Sequence, residues 1–185
     1  MLKITDSSEY KSLKAEGAVF GGSAASMLSK KGTMRTEFVP LEVDDILVFP
    51  MNPVYGYTKR FGGFVLVHLL KGGDPKEASV YTLYPGTVSR TLFPVEKNED
   101  GIYEQTGERP KNSGTLVDEI KKYGNYKEAF DSLKGKAVKV SNLQTFEVLR
   151  FQSTDETQER AVYELDIIEA KGKLKDFTEA SVAEG

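Results

Sequence analysis

Apolar and polar residues recur with two different periods along this chain, and the change of period divides it. Between Ser113 and Phe151 the apolar positions come first at helical spacing and then at every second residue. Leu116, Ile120 and Tyr123, with Val117 beside them, make one apolar stripe and predict a short helix. Thr115 is its candidate N-cap, with Asp118 three residues on as in a capping box, and Gly124 is its candidate left-handed stop. A second helix is predicted from Asn125 as cap, with Glu128 three residues later and Tyr126, Ala129, Phe130 and Leu133 on one face; Gly135 ends it. The period then drops to two. Val138 and Val140 alternate with polar neighbours, and after a turn at Ser141-Asn142 so do Phe146 and Val148. A last strand sets Tyr163, Leu165 and Ile167 against Glu164 and Asp166, the pattern of a half-buried antiparallel strand.

Ahead of Ser113 the pattern is one of strands and loops. The run from Thr36 to Pro50 is split by Pro40 and Asp44-Asp45, which predicts a bend or bulge. Phe64–Leu70 is almost continuously apolar and predicts a central strand. Residues 78–85 alternate, and a second strand follows past Pro85-Gly86. Asp100-Gly101 favours a type I′ turn and so a protruding ribbon, with residues 106–113 as a linker. Asp6-Ser7-Ser8 caps a short helix reaching about Ala15, and Gly21–Gly32 reads as a loop.

This order predicts a mostly β protein with α elements (α+β). Its helix pair lies between the third and fourth of about five core strands, as in a small antiparallel barrel of the oligonucleotide-binding (OB) type. A sandwich or another small barrel fits the same count. Residues 1–35 are expected to form an N-terminal helix and mobile loop packed on the main domain, 36–169 the barrel, and 170–185 a polar tail.

Composition narrows the chemistry. The 185 residues are 39% hydrophobic and 10% aromatic, enough for one core. No apolar run reaches membrane-span length, and the N-terminus lacks the order of a signal peptide, so the expectation is a cytoplasmic protein with no membrane contact. Cysteine is absent, which excludes disulfides, thiolate metal sites and cysteine nucleophiles. His68 is the single histidine and sits in an apolar run, where a hydrogen-bonded core role is expected. Asp44 and Asp45 are adjacent, so on a strand they point to opposite faces and make no catalytic pair. Phosphate-binding glycine motifs and a G-x-S-x-G elbow are missing. No enzyme, metal or cofactor is expected.

A net charge of −3 hides an uneven distribution, with bases prevailing over 59–76 and 134–150 and acids over 96–108 and after Asp155. Tyr55, Tyr57, Lys59, Arg60 and Phe61 interleave rings and cations between glycines, the mixture that single-stranded nucleic acid needs for stacking and phosphate contact. A loop whose aromatics cover the barrel end explains the same residues. Arg90, Phe93 and Arg150 extend the candidate surface, although Tyr81, Tyr84 and Phe93 are also ordinary strand formers. Acidic segments at 155–159 and 176–184 are candidate sites for a protein partner or self-assembly.

The stretch "LYPGTVSRTLFPVE", the pair "GTLVDEIKKYGNYKEAFDSLKGKAVKV" and a closing β-pair resemble small proteins of gut Bacteroidetes and their tailed phages that are similar to OB-fold single-stranded-DNA-binding proteins. The resemblance spans about residues 36–168 and implies an OB-like barrel of phage or mobile-element origin that binds single-stranded DNA. The acidic tip with terminal aromatic of bacterial single-stranded-DNA-binding proteins is missing from "TEASVAEG", and tryptophan is absent. The alternative expectation is a structural component of a virion or other assembly.

Overall fold

The computed structural model describes residues 40–58, 62–180 and 182. The expected N-terminal helix and the 21–32 loop lie outside the described residues.

Six strands form one antiparallel sheet: β1 (Ile46–Val48), β2 (Val54–Thr58), β3 (Gly62–Leu70), β4 (Ala78–Leu83), β7 (Ala137–Leu149) and β8 (Thr157–Ile168). A separate ribbon pairs β5 (Val95–Lys97) with β6 (Tyr103–Gln105). The helices are short: α1 (Pro85–Val88), α2 (Thr115–Ile120), α3 (Tyr126–Asp131) and α4 (Lys173–Glu179).

β3 is the axis of the sheet and is buried along its whole length, as its continuous apolar run requires. One of its edges carries β4. The other is shared end to end by β2, opposite Gly62–Leu66, and β1, opposite His68–Leu70. The five residues Phe49–Pro53 thus span a single β3 position, and the two prolines of this segment account for the break in pairing. The Phe49 N–H donates to the Lys136 carbonyl (2.9 Å) and the Met51 N–H to the Thr178 carbonyl (2.7 Å). Gly56 faces Phe64 across the β2–β3 pair, and the Phe64 ring covers it so closely that a Cβ there would overlap the ring.

β1 passes the sheet on to β7, and β7 to β8. The predicted turn at Ser141-Asn142 is instead a β-bulge between Val140 and Asn142, so β7 continues for 13 residues. The sheet does not close into a barrel. Among the described residues no strand joins β4 to β8, because the outer edge of β8 is occupied by the 112–115 segment. Ser113 exchanges backbone bonds with Tyr163 and Leu165 (3.0 and 2.9 Å), and the Thr115 hydroxyl accepts from the Ile167 N–H (2.7 Å). Thr115 therefore serves the sheet edge, and Gly114 takes the N-cap position with φ 103°. Its backbone lies against the Leu165 carbonyl, where a Cβ would not fit. The helix pair follows four of the six sheet strands, rather than three of five, because β1 and β2 pair separately with β3.

Asn125 caps α3 as expected, its side chain accepting from the Glu128 N–H at 2.8 Å. Gly124 is not left-handed; the last turn of α2 closes through tight bonds from Lys122 and Tyr123 to Glu119 and Ile120. On one face of the sheet, Leu116, Ile120, Tyr126, Phe130 and Leu133 pack on Val65, Val67, Leu69, Val138 and Leu165. Full burial of a side chain such as Phe130 contributes roughly 2–3 kcal/mol. The opposite face is covered by the described part of the expected polar tail. Leu174 and Phe177 of α4 pack on Val48, Leu70 and Ala137, and Val182 on Phe64 and Leu66. Leu174 and Phe177, three residues apart, make the apolar stripe that the polar composition of this segment conceals.

Asp44 and Asp45 mark the expected bend. Asp44 is left-handed (φ 74°), while Asp45 is 1% exposed and accepts from Lys71 Nζ (2.7 Å) and the Gly72 and Glu42 N–H groups (2.8 Å each).

His68 is buried on β3, within 3.1 Å of the Ala180 carbonyl and 5.3 Å, centroid to centroid, from the Phe177 ring. Burial holds its pKa below the ordinary histidine value, and the bond to Ala180 only partly offsets this. The unfolded chain therefore binds this proton more readily than the folded one. The His68 contribution to stability is complete above the unfolded-state pKa near 6.5 and is eroded as pH falls toward the folded-state value. A melting-temperature series across this window is expected to show a decline that His68→Gln flattens.

Candidate nucleic-acid interface

The predicted site residues separate into two groups. Tyr55 and Tyr57 lie on β2. Tyr55 is 6% exposed, belongs to the core and donates its hydroxyl to Asp131, with Lys127 Nζ 5.9 Å from its ring centroid. It presents no ring face to solvent, so a base cannot stack on it. Burial pushes the Asp131 carboxyl up, but bonds from Lys127 (2.6 Å) and Tyr55, with the charge of Lys134, outweigh that and hold it below the ordinary range. Tyr57 is half-buried. Lys59, Arg60 and Phe61 lie outside the described residues.

Arg90, Phe93 and Arg150 belong to a different region, where a ribbon meets an arm. The arm is the far half of β7 and β8, beyond the reach of β1. The ribbon is longer than β5 and β6. The expected 106–113 linker returns along residues 90–94, with Leu92 N–H to Pro110 carbonyl (2.8 Å) and Asn112 N–H to Arg90 carbonyl (3.0 Å). Pro94 bridges Val148 on the edge of β7 that β1 leaves, and Leu92 packs with Phe146, Val148 and Val162.

Asn112 roots this ribbon. It is 3% exposed; its amide donates to the Thr87 and Val88 carbonyls (2.6 and 3.0 Å), and its oxygen accepts from the Tyr163 N–H (2.8 Å). One side chain thus binds α1, the ribbon and β8 together.

Arg90 is half-buried, donates to the Ala161 carbonyl (3.0 Å) and stands 5.7 Å from the Tyr163 ring centroid. Phe93 is 50% exposed, with the Arg109 guanidinium 4.7 Å from its ring centroid. Arg109 is also held by the Glu108 carbonyl (2.6 Å) and Gln105 Oε1 (2.8 Å). Arg160 lies opposite Phe146 across the β7–β8 pair. Burial, and then the charge of Arg90, lower its pKa. The next register pair is Glu147 opposite Glu159, on the reverse face of the arm. Arg150 is exposed at the hairpin turn, beside Phe151, which is 86% exposed.

Arg109, Phe146 and Arg160 were missed by sequence reasoning. Alternation alone shows that Phe146 and Arg160 lie on strands, but their meeting depends on the register across a long hairpin with a bulge. Tyr81 is half-buried, its hydroxyl pushed up to about 12 by burial and then by Tyr163. Tyr84 packs edge-on against Phe64 at 5.6 Å.

Among the described residues no three histidine or carboxylate side chains gather as a metal site, and no buried side-chain polar atom lacks a partner. Comparison with protein families, curated proteins and solved structures returns no match.

Asn112→Ala leaves the Tyr163 N–H and two carbonyls without their bonds, and is expected to lower stability by roughly 2–4 kcal/mol. Chemical denaturation of the variant measures the loss.

Proposed function

We propose that this protein is a non-enzymatic single-stranded-DNA-binding protein that engages its ligand on the ribbon and arm. One observation carries the reading. Among the described residues Arg90, Arg109, Arg150 and Arg160 form no ion pair with a carboxylate. Guanidinium groups without carboxylate partners, one of them over an exposed ring, suit a strand of phosphates and bases. Phe93 stacks a base, and the four arginines contact phosphates. Tyr57, with Lys59, Arg60 and Phe61, supplies a secondary contact, and Tyr55 none. On this reading the open sheet, with its helix pair ahead of the last two strands, is an opened relative of the OB-like barrel. The protein acts in the cytoplasm, that of the host if it is phage-encoded.

The test is fluorescence anisotropy with labelled oligo-dT across a salt series. Contact by four arginines predicts a slope of log K against log salt of about −3, and Arg160→Ala reduces its magnitude by about 0.7. Phe93→Ala weakens binding by roughly tenfold, within the 1–3 kcal/mol per stacked base. Absence of binding at low salt overturns the proposal.

Phe151 favours a second reading, a structural component of a virion or other assembly. A phenyl ring 86% exposed at the end of an arm is suited to insertion into a partner. The contact then lies at the arm, since Leu174, Phe177 and Val182 of the C-terminal segment are spent on the protein's own sheet. Loss of a concentration-dependent oligomer in Phe151→Ser, read by light scattering, supports this second role; a wild type that stays monomeric at all concentrations counts against self-assembly.

A further inference from the structure

We infer that the cleft between ribbon and arm takes a single unpaired nucleobase bearing an exocyclic amino group, cytosine or adenine in preference to thymine. The inference rests on the DNA-binding reading and adds to it a site and a base preference.

The cleft is lined by Glu108, Arg109, Pro110, Gln144, Thr145 and Phe146 and has a volume of about 730 Å³, which accommodates a base with its sugar. Its walls are of two kinds. Phe146 and the Pro110 ring offer flat apolar surfaces suited to the face of a base. Glu108, Gln144 and Thr145 offer acceptors and donors suited to its edge. Arg109 is common to the cleft and to Phe93, and the Glu108 carbonyl and Gln105 fix its guanidinium, so it needs no ordering when a ligand arrives. Arg160, opposite Phe146 across the hairpin, supplies a cation for the phosphate of a base held at Phe146.

Glu108 sets the preference. Its carboxylate forms no ion pair among the described residues, although Arg109 is its neighbour in sequence, because that guanidinium is turned to the Glu108 backbone carbonyl and to Gln105. An ionised carboxylate accepts hydrogen bonds and cannot donate. It therefore favours a base edge that carries an amino group over that of thymine, whose single donor, N3–H, is flanked by two carbonyl oxygens that the carboxylate repels. The carboxylate also repels phosphate, which marks the Glu108 side of the cleft as a place for a base and leaves the backbone to the arginines.

The experiment compares labelled oligo-dC and oligo-dT of equal length against wild type and Glu108→Ala, by anisotropy at low salt, with melting temperatures confirming that both proteins are folded. The expected result is oligo-dC bound about fivefold more tightly than oligo-dT by wild type, with the difference lost in Glu108→Ala. Equal binding of both oligonucleotides by wild type, or a preference that survives Glu108→Ala, overturns the cleft assignment while the DNA-binding reading stands. If wild type binds neither oligonucleotide, the DNA-binding reading falls and the cleft assignment falls with it.

Discussion

The buried amide of Asn112 is the interaction on which the candidate surface depends. A ribbon of two extended segments has too little apolar area to hold its own position in water. It is fixed here because one side chain bonds α1 and the edge of β8 at the same time, while the Asn112 backbone bonds Arg90. Removing water from an amide costs free energy unless each of its polar atoms is repaid with a bond, and at Asn112 all of them are. The positions of Arg90, Phe93 and Arg109 follow from that anchor together with the Pro94–Val148 bridge and the packing of Leu92 on the arm.

The second constraint is the edge of β8. A barrel would satisfy that edge with another strand, whereas here the chain between ribbon and helix pair lies along it through Ser113 and Thr115. Gly114 permits the approach by having no side chain to place against Leu165. The outcome is an open sheet with a long hairpin reaching past its neighbours. Residues near the far end of that hairpin have no second layer to cover them. An exposed ring and guanidinium groups without carboxylate partners collect there, while the same residue types under the helix pair, such as Tyr55, are absorbed into the core.

The periodic parts of the fold were legible in the sequence. The helix pair, the fully buried β3, the bend at Asp44 and the place of the 95–105 ribbon all follow from spacing or turn residues within a few positions, although the ribbon's turn is not type I′, since Gly101 is left-handed and Asp100 is not. What depends on partners far along the chain was not. Thr115 carries the sequence signature of a cap but spends its hydroxyl on Ile167, and residues 106–113 read as a linker because irregular pairing leaves no alternation. Barrel closure could not be inferred from strand order, since it is decided by which edge remains free. For the candidate site, Phe93, Arg90 and Arg150 were visible as residue types, whereas their companions Arg109, Phe146 and Arg160 meet only through register. Tyr55 misled for the same reason: on a strand of alternating aromatics, sequence does not say which face is covered.

The excursion of Phe49–Pro53 out of the sheet ties the two helical layers to each other. Phe49 is bonded to the chain just after α3, on one face, and Met51 to the end of α4, on the other. Neither layer can lift away without disturbing a five-residue loop that the other also holds. The sandwich of helices and sheet is thus mechanically a single unit, whose layers would open together rather than peel in sequence, and the C-terminal segment, late in the chain and polar in composition, is part of what keeps the opposite face shut.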